Sequence, residues 1–108
     1  MKFEYIYGKQ AEQYDYLYIP KAFMKEEPFK KMSASAKILY AVLLEKQQES
    51  VKMGWIDEKN HVYIMVDTEK LSSEINDIEA DVAEAMKELE QVGLLEVEDK
   101  KVYLKRFV

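Results

Sequence analysis

From Thr68 to Leu95 the chain carries two amphipathic helical segments in succession, and no other stretch limits the fold as much. Thr68 caps a short first helix holding Leu71 and Ile75. Asn76 and Asp77 interrupt it, and a longer second helix runs to about Val92 with Ile78, Val82, Ala85, Met86 and Leu89 on one face. Asn76 and Glu79 stand at capping-box spacing, and Asp77 and Glu79 stabilise the positive end of that helix. Gly93 ends it in the left-handed conformation that glycine adopts without steric cost.

The flanking segments complete the pattern. Ser33 caps a helix to about Ser50, with Ala36, Leu39, Tyr40 and Leu43 at helical spacing and Ile38, Val42 and Leu44 beside that stripe, so this helix is buried on more than one side. Lys52-Met53-Gly54 closes it. Trp55-Ile56-Asp57 and Val62 to Val66 form a small hairpin around a polar turn. Leu94 to Val97 and Val102 to Leu104 form another across Glu98-Asp99-Lys100. Helix, strand, helix, helix, strand, strand is the order of an α+β winged helix, and residues 20–108 make its core. Pro20 and Pro28 bracket a short helical turn at Lys21 to Met24.

Residues 1–19 alternate aromatic and polar side chains on both sides of G-K-Q-A-E-Q, which predicts an N-terminal aromatic β-hairpin or an extended arm. Its face either packs on the domain's own helices or joins a second copy through Tyr5, Tyr7, Tyr14, Tyr16 and Tyr18.

One domain is all that 108 residues, 48% of them apolar, have room for. With no cysteine there is no disulfide, thiolate metal site or thiol nucleophile, a usage that fits the cytoplasm. No apolar run approaches the roughly 20 residues of a membrane span. The lone histidine, His61, lies in a polar turn and has no second ligand or triad partner. The expectation is a noncatalytic chain with no metal, cofactor, small-molecule substrate or membrane contact.

Charge is unevenly distributed. Residues 1–67 balance ten lysines against ten acids, residues 68–99 carry eleven acids against Lys70 and Lys87, and residues 100–108 carry four cations, for a net of −5. Such partition informs about partners more than about fold.

Four stretches carry a resemblance: Y-I-Y-G-K-Q-A-E-Q-Y at 5–14, Y-I-P-K-A-F at 18–23, F-K-K-M-S-A-S-A-K-I-L-Y-A-V-L-L-E-K at 29–46 and G-W-I-D-E-K-N-H-V-Y-I at 54–64. Together they resemble the N-terminal domain of the replication initiator protein A family of plasmids and mobile elements in Gram-positive bacteria. The resemblance implies a winged helix that pairs as a homodimer and binds repeated double-stranded sites at a replication origin. The chain departs from the family at Ile78-Glu79-Ala80-Asp81, where basic and hydroxyl residues are usual, and at Val97 to Lys101, where a basic, glycine-rich wing is usual. The family's C-terminal region lies outside these 108 residues.

Projected at about 100° per residue, the second helix turns Ala80, Glu84, Lys87 and Gln91 outward, with Asp81 and Glu88 flanking them toward phosphates. Lys100, Lys101, Lys105 and Arg106 supply cations at and beyond the wing, and these eight residues are the expected nucleic-acid contacts, weak because so acidic a helix opposes phosphate. If Lys30, Lys31 and Lys37 converge with the wing cations beside tyrosines, they make a single-strand groove. Two other readings use the same residues: a protein-interaction module whose acidic face, or Ala80-Ala83 stripe, meets a basic partner or another helix, and an architectural dimer built on the aromatic arm.

Overall fold

A computed structural model of the chain describes residues 1–8, 14–75 and 79–107, side chains at 79 and 80 excepted. Its centre is the helix α2 that the sequence places after Ser33. Preceding it are a four-residue helix α1 (Ala22–Lys25) and a 3-10 turn (Phe29–Lys31), and α2 itself spans Ala34–Met53. The Ser33 Oγ accepts from the Ala36 N–H at 3.1 Å, and Gly54 caps the far end at φ 76°. The helix therefore runs about one turn beyond Ser50, as far as the glycine permits. It buries Ala36, Leu39, Tyr40, Ala41 and Leu43. A fully buried leucine stabilises by about 1.5–3 kcal/mol relative to an exposed one, so Leu39 and Leu43 are among its main anchors.

The remaining elements follow the expected order: β1 (Ile64–Met65), α3 (Thr68–Glu74), α4 (Glu79–Val92), β2 (Leu95–Glu98) and β3 (Lys101–Leu104). The three strands form one antiparallel sheet in the order β1-β3-β2, with Ile64 opposite Val102 and Glu96 opposite Tyr103. Ile64, Leu95 and Val102 turn inward and join Leu71, Val82, Ala85 and Leu89 from α3 and α4 against α2. Phe23, Phe29, Tyr40 and Phe107 close one end of this core, with the Phe29 and Phe107 rings 4.7 Å apart. The Tyr40 hydroxyl donates to the Lys105 carbonyl at 2.9 Å, which satisfies a polar group that packing would otherwise strand. This architecture is the α+β winged helix read from the pattern.

Three details differ from the sequence reading. The cap of α3 is Asp67, whose Oδ1 accepts from the N–H groups of Glu69 and Lys70 at 3.0 and 3.3 Å, not Thr68. The two residues are adjacent and both are good cap types, but a carboxylate also meets the positive helix end. The hairpin at 55–66 shrinks to one bridge, Ile56 to Val62, and β1 pairs instead with β3. The cap predicted at Asn76 and the buried Ile78 lie outside the described residues.

At the N-terminus, residues 1–8 and 14–18 contain no strand and form an arm. The turn at 9–13 lies outside the described residues. Phe3, Tyr5, Tyr7, Tyr14, Tyr16 and Tyr18 are all exposed, from 49% at Tyr16 to 91% at Phe3. Packing of this face on the domain's own helices is thereby corrected: the core clusters without it. Tyr14, Tyr16 and Tyr18 touch one another in series, with ring centres 6.4 Å apart at each step.

Candidate nucleic-acid interface

The seat of α4 decides which of its side chains can meet a ligand. Val82, Ala85 and Leu89 are buried to 1% exposure or less, so the opposite face points to solvent. On that face Asp81, Glu84, Lys87 and Gln91 are exposed, as the projection requires, together with Ala83 and Glu90. The Ala80 side chain lies outside the described residues. An ion pair of 2.7 Å between Lys46 and Glu74 ties α3 to α2 and steadies the platform from which α4 projects.

Glu88 does not flank this face toward phosphate. It turns back, and its Oε1 and Oε2 accept from the backbone N–H and the hydroxyl of Ser33 at 2.9 and 2.6 Å. Glu96 is likewise engaged within the fold, 2.9 Å from the Lys105 ammonium, whose hydrogen bond and charge hold the Glu96 carboxyl below the usual range. Of these two acids, Glu96 has a cationic partner and Glu88 a neutral one.

The wing is short. Asp99 takes φ 56° at its tip, a left-handed turn that Asp tolerates better than most residues, and Lys100 is exposed beside it. Lys101 instead lies over the Tyr63 ring at 4.7 Å. Lys101, Lys105 and Arg106 share a groove on the outer face of the sheet with Asp57, His61, Tyr63, Glu96 and Tyr103, but no α4 residue lines it. The expected contacts therefore divide between two surfaces: Glu84, Lys87 and Gln91 on α4, and Lys101, Lys105 and Arg106 in the groove. Lys30, Lys31 and Lys37 do not line this groove.

Several residues that shape this region escaped the sequence reading. Trp55 and Tyr63 stack with an interplanar angle of 4°, and Tyr103 packs on both Tyr63 and His61. Asp57 organises the turn: its Oδ1 accepts from the Lys59 and His61 N–H groups, and its Oδ2 accepts from the Tyr103 hydroxyl at 3.0 Å. The His61 N–H, foremost among these, holds the Asp57 carboxyl below its ordinary value. Desolvation, reinforced by the Asp57 carboxylate, pushes the Tyr103 phenol up to about 12.

Among the described residues, no group of histidines and carboxylates is arranged to hold a metal, and no helix is long and apolar enough to cross a membrane.

Residues 15–107 match the family model described as the replication initiator protein A (RepA) N-terminus. The chain belongs to this family. Three solved structures share the fold of this RepA N-terminal domain. One described as the structure of an MDR initiator superposes with a TM-score of 0.81 at 27% identity, covering 97% of this chain and 88% of that one. A structure of a Rep-DNA complex gives 0.79 at 28% identity over 97% and 85% of the two chains. An N-terminal domain of a DNA-binding protein gives 0.78 at 27% identity over 99% and 86%. No curated protein sequence matches.

Proposed function

We propose that this RepA N-terminal domain is a noncatalytic, cytoplasmic module that binds duplex origin DNA as a homodimer, with α4 in the major groove and the wing beside it. The observation that carries the reading is the seat of α4: its apolar side is locked in the core, and its polar side stands clear in a fold that matches a Rep-DNA complex over 97% of this chain. Lys87 is placed for a guanine edge or a phosphate, Gln91 for an adenine edge, and Glu84 for a cytosine amino group. Phosphate neutralisation supplies most duplex affinity, and Asp81, Glu84 and Glu90 leave α4 poor in it. Binding is therefore weak and shifts toward Lys87, Lys100 and the backbone contacts of the wing.

The reading as a partner-binding module needs an outward acidic surface. Asp81, Glu84 and Glu90 are the exposed acids on α4 that it would use, with Glu88 turned to Ser33 and Glu96 paired with Lys105. The test is binding to duplex from the element's own origin against random duplex, at low and high salt. The DNA reading expects preference for the origin and a loss of affinity as salt rises. Equal binding to both duplexes, or none at low salt, contradicts it. Reversing Asp81 and Glu84 to lysine separates the readings further, raising duplex affinity under the first and abolishing capture of a basic partner under the second.

A further inference from the structure

The N-terminus of α2 lacks half of its usual capping arrangement. In a capping box the cap serine accepts from the third helical N–H, while a Glu or Gln at that third position reaches back to the serine's own N–H. Here the third position is Ala36, which has no side chain for the task. Glu88 takes its place from 55 residues away, accepting from the Ser33 N–H at 2.9 Å and from the Ser33 hydroxyl at 2.6 Å. The capping box of α2 is completed in trans by the helix that carries the candidate reading face.

We propose that Glu88 is a positioning residue for DNA reading, fixing the roll of α4 so that Lys87 and Gln91 meet base edges in register. This rests on the duplex-binding reading above. Neighbouring residues on a helix point about 100° apart, so buried Leu89 and pinned Glu88 hold α4 from two directions. Apolar packing alone tolerates small rotations, whereas two charge-assisted hydrogen bonds to one serine are directional. At a helix radius of about 5–6 Å, a roll of about 10° moves a side-chain base by roughly 1 Å. That is enough to break a bidentate base contact, which works within a few tenths of an ångström.

The test compares origin duplex with random duplex for the wild-type domain, Glu88→Ala, Glu88→Gln, Ser33→Ala and the double alanine variant, each checked for native helical circular dichroism. Both duplexes carry the same phosphates, so the loss of a negative charge cancels in the ratio of affinities. Glu88→Ala, which removes both contacts, should lower that ratio by about fivefold to tenfold, the scale of one misplaced base contact, and Ser33→Ala, which leaves the Ser33 N–H on Glu88, should lower it by less. The double variant should fall no further than Glu88→Ala, because Glu88→Ala already removes the one contact that Ser33→Ala deletes. Glu88→Gln, which keeps one acceptor for the Ser33 N–H and can donate its amide to the Ser33 hydroxyl oxygen, should stay within about twofold of wild type. If Glu88→Ala does not fold, Ser33→Ala carries the comparison through the hydroxyl contact, and the ratio should still fall below wild type.

A wild-type preference that survives the alanine variants, or a Gln variant that falls as far as Ala, overturns this inference alone. A wild-type domain without preference overturns the duplex reading and this inference together.

Discussion

Asp57 and Tyr103 show how much of this surface depends on single polar atoms. One carboxylate ties the turn at 57–61 to β3, and the tie has opposite pH signatures at its two ends. The Asp57 carboxyl is depressed below 3.8, so its contribution to stability is present above that value and lost as pH falls through the depressed one. The Tyr103 phenol is raised from 10.0 to about 12, so its contribution is complete below 10 and disappears as pH rises toward 12. In an alkaline absorbance titration, Tyr103 and buried Tyr40 should ionise above the ordinary phenol value of 10.0. Asp57→Asn should bring Tyr103 forward and leave Tyr40 late; a Tyr103 that does not move would remove Asp57 as a cause. Neither residue was legible as a partner of the other, because 46 residues separate them and neither breaks the local pattern.

Among the elements, α2 and α4 were legible because each is long, periodic on its buried side and closed by a glycine at positive φ. Periodicity also placed Glu84, Lys87 and Gln91 correctly on the open face of α4. It could not place Glu88, because the vacancy it fills is on another helix; the lone local signal is an alanine where a capping box has Glu or Gln. The arm was half legible. Aromatic alternation marked an extended segment but did not supply the cover that two strands need to pair. The homodimer proposed above would draw on its exposed tyrosines, since an aromatic series of this length in water gains by packing on a second copy. Replacing Tyr5, Tyr14 and Tyr16 with serine should convert a dimer to a monomer in solution mass measurements while the thermal transition of the core stays within a few degrees. An unchanged mass would take the arm out of the interface.

At the scale of the whole molecule, the domain has a conventional initiator fold and an unusual distribution of charge. The fold was legible from element order, and the charge was legible as a count, but not its disposition. Glu88 is turned to Ser33 and Glu96 pairs with the Lys105 ammonium, so of the eleven acids in residues 68–99 these two are engaged within the fold. Three of the C-terminal cations, Lys101, Lys105 and Arg106, line a groove that no α4 residue lines. The two surfaces make different predictions for where DNA touches. Amide chemical shifts of the isotope-labelled domain, followed as origin duplex is added at low salt, separate them most directly. Duplex reading by α4 predicts the largest changes at Glu84, Lys87 and Gln91, with Lys100 following. Changes confined to the turn at 57–61 and to Lys101, Tyr103 and Arg106, with α4 silent, would contradict it.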